Sequence, residues 1–273
     1  MHQLFTRSLF LAAVLAFLPA CVYAQPEQHA DKPIIHGPRN EKVVALTFDD
    51  GPDPRYTHRV VSLLKDEGIH ATFFEVGKFA EKYPYLTKLV VENGNVVGNH
   101  SYSHPDLRLD KIEHVRFEVL RGAETLEKIT GKHPALFRPP KGLYDEQILE
   151  ALKGMGYQTV LWSLTVEHKS AKTPMEMADR VINLVQPGTI ILAHDGRLDR
   201  EHTLEALPMI IETLKAEGYR FVTVPEMIEL IKKAEKKSKS TGQASKPSPK
   251  KHVDKQNDGW LSHMGRHVHS WMP

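Results

Sequence analysis

Seven short runs of apolar or β-branched residues alternate with longer amphipathic stretches, and this alternation is the strongest constraint on the fold. A strand that is apolar along its whole length is typical of a parallel sheet covered on both faces by its connecting helices. The pattern predicts an α/β fold, a distorted or incomplete (β/α) barrel with about seven parallel strands, with an open doubly wound sheet as the alternative. The predicted strands are 43–48, 71–76, 96–98, 135–138, 159–162, 189–193 and 221–224.

Apolar residues at helical spacing fill the intervals between these runs. Several intervals end near a glycine, the residue that most often terminates a helix. Helices are therefore predicted over 55–67, 79–92, 111–130, 145–154, 174–186 and 203–217.

The amino-terminal residues 1–24 have the pattern of a secretory signal peptide. Arg7 precedes a ten-residue apolar run at 9–18, and the segment ends in small residues. A membrane-spanning helix needs about 20 apolar residues, so this short run predicts export, with cleavage after Ala24. Cys21 follows Leu-Pro-Ala, which resembles a lipobox, and lipid anchoring at Cys21 is the alternative. We expect the protein in the periplasm, at the cell surface or outside the cell.

The net charge of +2 combines an acidic body and a basic tail. Residues 25–231 contain 25 Lys and Arg against 31 Asp and Glu, whereas 232–273 contain ten against three. The composition predicts a polar leader at 25–41, a globular domain at 42–232 and a basic, disordered tail at 233–273. Such a tail suits an anionic cell-wall or membrane surface. Nucleic acid is not expected as a partner of an exported protein.

The cysteine content excludes one class of chemistry. Cys21 is the only cysteine in the sequence, and neither signal-peptide cleavage nor lipidation leaves its thiol free. The mature chain is therefore expected to have no disulfide and no cysteine nucleophile. Catalysis would then use carboxylates, imidazoles, arginine or a metal ion.

Ionisable residues directly follow four of the predicted strands. The segments are TFDDGP at 47–52, NHSYSHP at 99–105, RPPKG at 138–142 and LAHDG at 192–196. Each segment alone would be an ordinary turn or loop. Both candidate architectures, however, bind ligands at the carboxyl ends of their strands, so the four segments together predict an active site there.

Two imidazoles and one carboxylate explain why these segments occur together. This set of donors suits Zn²⁺, Co²⁺ or Fe²⁺ and leaves coordination positions open for water and substrate. His100 and His104 supply the imidazoles. One carboxylate of the pair Asp49 and Asp50 can bind the ion while the other acts as a base, so the segments predict a metal-dependent hydrolase.

The four segments, in this order, resemble the successive motifs of the polysaccharide deacetylases, carbohydrate esterase family 4, also described as the NodB homology domain. The resemblance extends over about residues 40–230. It implies a distorted β/α barrel that removes N- or O-acetyl groups from sugars such as N-acetylglucosamine. The enzyme would thus be a hydrolase of carbon–nitrogen bonds other than peptide bonds.

The resemblance also implies the metal ligands and the catalytic pair. Asp50, His100 and His104 would bind the divalent ion, with Zn²⁺ expected and Co²⁺ as the alternative. Asp49 would be the general base. His194 would be the general acid that protonates the leaving sugar amine.

Four further residues are candidates around this set. The resemblance implies that Arg138 pairs with Asp49 and keeps it ionised, because a nearby cation lowers the pKa of a carboxyl group. Lys141 and Gly142 would lie on the substrate side, where a backbone N–H near Lys141 would stabilise the oxyanion of the tetrahedral intermediate. Trp162 is either a platform on which a sugar stacks or a core residue.

The sequence departs from the family pattern at two places. Lys141 stands where many relatives have an aromatic residue, so that a charge faces the substrate. The segment WSLTVEH at 162–168 lacks the Asp-x-x-Asp-Trp motif, whose acid orients the catalytic histidine in relatives. The partner of His194 is therefore open, with Glu167 and Asp195 as the two candidates.

We expect an exported, metal-dependent hydrolase that removes acetyl groups from N-acetylated glycans, either peptidoglycan or chitin-like oligosaccharides. Lys141 and the run Trp-Ser-Leu at 162–164 resemble the peptidoglycan-directed branch of the family more than the chitin-directed one. Glu75, at the end of its predicted strand, is a further candidate for a substrate contact. The alternatives are a non-catalytic glycan or cell-wall binding module with the same fold, and a metal hydrolase of another amide or ester.

Overall fold

The computed structural model describes residues 32–240. The predicted signal peptide, Cys21, the leader up to residue 31 and the tail beyond Ser240 lie outside the described residues. What was inferred for those segments from the sequence stays a prediction.

One parallel sheet forms the centre of the described part of the chain. Its strands are β1 (Val43–Asp49), β2 (Thr72–Glu75), β3 (Val96–Asn99), β4 (Leu136–Phe137), β5 (Gln158–Thr159), β6 (Leu164–Thr165), β7 (Thr189–His194) and β8 (Arg220–Phe221). Seven of them lie in the order β5-β4-β3-β2-β1-β7-β6, and β8 pairs with the amino-terminal end of β1. Residues 158–165 run from β5 at one edge to β6 at the other, and the sheet curls into the predicted incomplete barrel.

The described sheet has one strand more than the seven predicted: of the predicted run 159–162 only Thr159 lies in a strand, and β6 (Leu164–Thr165) follows that run. Ile34, from the predicted leader, pairs with the chain between β5 and β6. The Ile34 N–H donates to the Thr159 carbonyl at 2.9 Å, and the Leu161 N–H donates to the Ile34 carbonyl at 2.8 Å. Part of the leader is therefore built into the barrel wall.

Eight α-helices flank the sheet within residues 32–240. The predicted helix at 79–92 is divided in two because Pro84 has no N–H to continue the first helix, and its fixed φ suits the first turn of the second. No described helix is both long enough and apolar enough to cross a membrane. The helices are α1 (Thr57–Asp66), α2 (Gly77–Lys82), α3 (Pro84–Glu92), α4 (Ile112–Thr130), α5 (Glu146–Gly154), α6 (Pro174–Leu184), α7 (Glu201–Ala216) and α8 (Val224–Ser240).

The strand predicted at 221–224 is shorter in the structure, because α8 begins inside that run. The backbone N–H and the hydroxyl of Thr223 donate to the Glu226 carboxylate at 2.7 and 2.9 Å. Thr-x-x-Glu is the pattern of a capping box, and Pro225 at the start of the helix favours the same conformation. At residues 223–224 the sequence signals for a helix start therefore outweigh the preference of β-branched residues for a strand.

Helix α8 also extends beyond the predicted end of the domain at residue 232. Residues 233–240 are helical instead of belonging to a disordered tail. Lys, Glu and Ala, which favour helices, make up six of these eight residues. Lys237 and Lys239 lie in the last turn, where positive charge interacts favourably with the helix dipole.

Side chains of β1 alternate between the two faces of the sheet. Leu46 and Phe48 belong to the large apolar cluster beneath the helices, whereas Ala45 belongs to a second cluster formed with other strands of the barrel. Thr47 and Asp49 follow Ala45 on the same face. This alternation directs the Asp49 carboxylate into the barrel mouth.

Glu75, proposed above as a substrate contact, does not reach the surface. It is 1% exposed, and its Oε2 accepts the Thr87 hydroxyl at 2.6 Å. Its Oε1 has no hydrogen-bond partner among the described residues. Burial raises the pKa of Glu75 to about 8, against the opposite effect of the Thr87 hydrogen bond. The side chain is therefore a neutral acid at neutral pH.

We expect Glu75 to make stability depend on pH. Between its unfolded pKa of about 4.5 and its folded pKa of about 8, only the folded chain retains the proton. The free energy of unfolding should therefore fall as the pH rises through this window, by at most about 5 kcal/mol. Thermal unfolding with a chelator present, at pH 5 and pH 8, should show a smaller loss of Tm for Glu75→Gln than for the wild type.

The exposed Glu124→Gln variant, which removes one carboxylate from the surface of α4, is the matched control and should behave as the wild type. Equal pH dependence in Glu75→Gln and the wild type would contradict this prediction.

Candidate active site

The four ionisable segments meet at one rim because the ends of their strands are aligned. Asp49 and His194 are opposite each other in the β1–β7 pairing, and Asn99 at the end of β3 lies beside Phe137 of β4. Within residues 32–240, positive φ at non-glycine residues occurs only in the segments that follow β1, β3, β4 and β7. These residues are Asp50, Ser101, His104, Lys141 and Arg197. Strained backbone of this kind concentrates at functional sites.

Asp50, His100 and His104 form a cluster of metal donors. One donor atom from each residue lies within 4.8 Å of the others. The Asp50 Oδ1 is 3.1 Å from the His104 Nε2 and 3.8 Å from the His100 Nε2. Two imidazoles and one carboxylate that converge in this way fit a divalent ion with positions left open.

His100 is held in the form that metal binding requires. Its Nδ1 lies 2.7 Å from the Arg138 carbonyl, and a carbonyl can only accept, so Nδ1 carries the proton and Nε2 presents a lone pair. Burial lowers the pKa of His100 to about 4, although Asp49 and Asp50 raise it. The imidazole is therefore neutral at neutral pH.

His104 is in contact with an arginine that the sequence did not single out. The Arg197 Nη1 lies against the His104 Nδ1 and donates to the Asp50 Oδ1 at 3.3 Å. A guanidinium only donates, so in this arrangement Nδ1 accepts and Nε2 carries the proton. Metal binding through Nε2 requires the other tautomer, in which the Arg197 guanidinium is not bound to Nδ1.

Asp50 is surrounded by positive or polarisable groups. Burial would raise the pKa of its carboxyl group, but the hydrogen bond to His104 and the nearby imidazoles lower it well below its ordinary value. The Arg200 Nη2 lies 3.5 Å from the Asp50 Oδ2. Asp50 is consequently ionised, as a metal ligand must be.

Asp49 is bound to a fully buried arginine. The Arg138 Nη1 donates to the Asp49 Oδ1 at 2.7 Å and to the Thr47 hydroxyl at 2.9 Å. The Nε and Nη2 of Arg138 donate to the carbonyls of Val160 and Leu161 at 3.2 and 3.0 Å. The Asp49 Oδ2 is left facing the donor cluster, 3.7 Å from the His100 Nε2.

Of the two candidates for the partner of His194, Glu167 is the one in contact with the ring. The Glu167 Oε2 lies 3.1 Å from the His194 Nδ1. The Glu167 Oε1 accepts the His194 N–H at 3.2 Å and the Thr203 hydroxyl at 2.8 Å. Burial would lower the pKa of His194, but the charge and hydrogen bond of Glu167 raise it above its ordinary value.

Among the described residues, Asp195 forms no hydrogen bond with the His194 ring. Its Oδ2 accepts the Thr57 hydroxyl at 2.6 Å, and its carboxyl group lies directly against Gly51. Burial raises the pKa of Asp195 to about 7, against the Thr57 hydrogen bond. The residue therefore packs against the turn at 49–52.

The three candidates on the substrate side lie together. Lys141 and Gly142 are in a single 3₁₀ turn at Pro140–Gly142, and Lys141 is exposed. Gly142 has φ +68°, and a Cβ there would lie 2.6 Å from the Trp162 Cη2. Trp162 is partly buried over Arg138 and packs against the interior cluster. The indole thus contributes to the core as well as to the rim.

Glu118 was missed in the sequence although it organises the loop that carries both histidines. Its carboxylate accepts the backbone N–H groups of Tyr102 and Ser103 at 3.1 and 2.8 Å, and the Ser103 hydroxyl at 2.9 Å. The sequence did contain a signal for a buried role of Glu118. This charged residue lies next to Val115 and Val119 on the apolar face of the predicted helix 111–130.

A carboxylate and an imidazole beside a set of metal donors are what metal-assisted hydrolysis of an amide or ester requires, so the fold and the site define a hydrolase. Known proteins similar to this chain identify the family. The family model described as polysaccharide deacetylase matches residues 36–160. A peptidoglycan-N-acetylglucosamine deacetylase of Bacillus cereus is 41% identical over 193 residues, which cover 70% of this chain and 90% of the relative.

Another relative is a peptidoglycan-N-acetylmuramic acid deacetylase, PdaA, of Bacillus subtilis, 37% identical over 196 residues that cover 70% of this chain and 73% of the relative. The crystal structure of the Bc1960 peptidoglycan N-acetylglucosamine deacetylase superposes with a TM-score of 0.69 at 35% identity, covering 71% of this chain and 91% of that one. The chain therefore belongs to the polysaccharide deacetylase family.

We predict that Asp49 and His104 differ in their effect on metal content. Asp49→Asn leaves all three donors in place and should bind Zn²⁺ in the same ratio as the wild type. His104→Ala removes a donor and should lower the affinity at least about tenfold. Elemental analysis after dialysis against dilute Zn²⁺ measures both ratios.

The control for this prediction is His133→Ala, since His133 is exposed and paired with Glu127 outside the cluster. Equal metal loss in Asp49→Asn and His104→Ala would mean that Asp49 also binds the ion.

Proposed function

We propose that this chain is an exported, metal-dependent deacetylase that removes acetyl groups from the N-acetylated sugars of peptidoglycan. The observation that carries the proposal is the arrangement around the donor cluster. The Asp49–Arg138 pair lies beside Asp50 and His100, and His194 at the end of the neighbouring strand β7 is paired with Glu167, which follows β6. A proton acceptor and a proton donor are thus both available at the same set of metal donors.

Asp49 is the proton acceptor in this proposal. Arg138 binds its Oδ1 and balances its charge, and the remaining Oδ2 faces the donor cluster. Because Arg138 is itself held by two carbonyls and a hydroxyl, the position of the carboxylate is fixed before substrate binds.

His194 is the proton donor to the leaving amine. The Glu167 carboxylate binds Nδ1, which directs Nε2 away from Glu167 and makes it the nitrogen that gives up its proton. The raised pKa keeps a larger fraction of the imidazole protonated at neutral pH. Thr203 holds the Glu167 carboxylate in turn.

Zn²⁺ is our first choice for the ion, with Co²⁺ second, because two imidazoles and one carboxylate suit both. When bound, such an ion polarises the acetyl carbonyl and lowers the pKa of water. Peptidoglycan is favoured over chitin-like oligosaccharides by the similar deacetylases reported above and by the charged Lys141 at the rim. All five proposed ligands and proton-transfer residues are present, which favours turnover over a non-catalytic binding module.

Export and attachment through the basic tail are part of the same proposal. They are supported by the signal-peptide pattern at 1–24 and by the ten basic residues in 232–273. A substrate in the cell wall lies outside the cytoplasm, which agrees with export. Lipid anchoring at Cys21 is the alternative mode of retention.

Acetate release from purified peptidoglycan is the decisive measurement. We expect the full-length chain to release acetate, to lose this activity after chelation and to recover it when Zn²⁺ or Co²⁺ is added. No acetate from any N-acetylated glycan by protein with its metal bound would refute the proposal.

Glu167→Gln should move the pH dependence of this activity. Glu167 raises the pKa of His194, and the general acid must be protonated, so its loss should shift the alkaline fall of kcat/KM to lower pH. Profiles from pH 5 to 10 for the wild type and Glu167→Gln measure the shift. The exposed Glu124→Gln variant should leave the profile unchanged, and an unshifted alkaline limb in Glu167→Gln would show that the ring is controlled by another group.

A further inference from the structure

Arg197 is an exposed cation at the donor cluster, and the reaction proposed above does not use it. It lies three residues after His194, with 37% of its side chain exposed. Its φ is +68°, a conformation that costs a non-glycine residue about 1 kcal/mol or more. The chain therefore keeps a large cationic side chain at a position where its backbone is strained.

The loop that carries Arg197 is locked against the donor cluster. A Cβ on Gly196 would lie 2.1 Å from the Asp50 carbonyl oxygen, so the two segments are in close backbone contact. The Arg200 Nε and the Leu198 N–H both donate to the Gly196 carbonyl, at 3.0 and 2.9 Å. The guanidinium of Arg197 is thus held within reach of the donors.

The negative charge of Asp50 has partners other than Arg197. The buried Arg200 lies 3.5 Å from its Oδ2, and His104 lies 3.1 Å from its Oδ1. Ligation through the His104 Nε2 puts a proton on Nδ1, which removes the acceptor that Arg197 now contacts. Of its contacts with His104 and Asp50, Arg197 then keeps the one with Asp50 at 3.3 Å, and the other N–H donors of its partly exposed guanidinium are available to a ligand.

Other cations near the rim are already neutralised. Arg55 and Arg108 are bound to Asp53 and Asp106 through two nitrogens each. Lys141 is exposed and forms no hydrogen bond or ion pair among the described residues. Lys141 is therefore a second exposed cation that follows a strand of this rim, in addition to Arg197.

We propose that Arg197 binds a carboxylate of the glycan, and that the enzyme selects N-acetylated sugars bearing an acidic substituent near the acetamido group. A guanidinium fits a carboxylate through two parallel hydrogen bonds, which makes it a selective as well as a strong partner. The acetamido group must reach the donor cluster, so a carboxylate on the adjacent sugar carbon lies within range of Arg197. This inference rests on the proposed deacetylase function and names the substrate class for it.

The test compares one glycan with and without its charge. The probes are peptidoglycan oligosaccharides free of stem peptides, with lactyl carboxylates, and the same oligosaccharides with those groups converted to carboxamides. We expect the wild type to have a kcat/KM about tenfold higher for the acid, or about 1.4 kcal/mol. Arg197→Gln should bring this ratio close to one, and Arg197→Lys should keep part of it.

Arg220→Gln is the matched control. Arg220 is an exposed arginine on β8, which pairs with the amino-terminal end of β1, opposite the site. It should keep the wild-type ratio. A wild-type ratio near one, or an unchanged ratio in Arg197→Gln, would overturn the inference.

A binding measurement tests the role of Arg197 separately from the proposed deacetylase function. Calorimetry with Zn²⁺-loaded Asp49→Asn should show tighter binding of the acid than of the carboxamide, and adding Arg197→Gln should abolish the difference. If neither these probes nor any other N-acetylated glycan yields acetate with the metal-loaded wild type, the deacetylase proposal fails, and calorimetry still decides whether Arg197 recognises the carboxylate. Equal binding of both probes would overturn that recognition.

Discussion

The buried pair of Arg138 and Asp49 is the interaction on which the rest of the structure depends. Arg138 follows β4, yet it binds the carboxylate at the end of β1 and two carbonyls of the segment between β5 and β6. Those carbonyls belong to Val160 and Leu161, between the two edge strands β5 and β6. One side chain therefore connects the central strand β1 to the segment that joins the two edges of the sheet. Burying two charges is costly unless each is fully bonded. Here the same bonds that balance the cost also set the orientation of the proposed base, which ties the stability of the barrel to the geometry of the site.

Around this pair, the rim is built from short segments that depart from ordinary backbone conformations. Asp50 and His104 have positive φ and are both candidate metal donors, while Lys141 and Arg197 have positive φ and are exposed cations. Such residues are kept only where neighbouring contacts impose the conformation. Glu118 supplies such contacts below the histidine loop. Contacts within the protein therefore hold the candidate donors close to one another.

The sequence was sufficient to predict features that depend on neighbouring residues. It was insufficient to predict contacts between segments that are far apart in the chain. Asp49, His100 and His194 could be placed at strand ends because apolar runs directly precede them, and the barrel follows from the same runs. Ile34 could not be assigned to the wall, because its partner near Val160 is more than a hundred residues away. Arg197 was overlooked for the same reason: nothing in its neighbourhood shows that Asp50 is within reach. The start of α8 was a different error, since the pattern Thr-Val-Pro-Glu was present but weighed less than the preceding apolar run.

The place of Ile34 in the wall affects where the catalytic domain can be cut. The family resemblance begins near residue 40, and a shortened chain designed from it would discard Ile34. The Thr159 carbonyl and the Leu161 N–H would then lose their hydrogen-bond partners on Ile34. Unpaired strand edges are sites at which other chains can add. A domain trimmed to its motifs would thus gain a tendency to aggregate. A shortened chain that keeps these hydrogen bonds must therefore include Ile34.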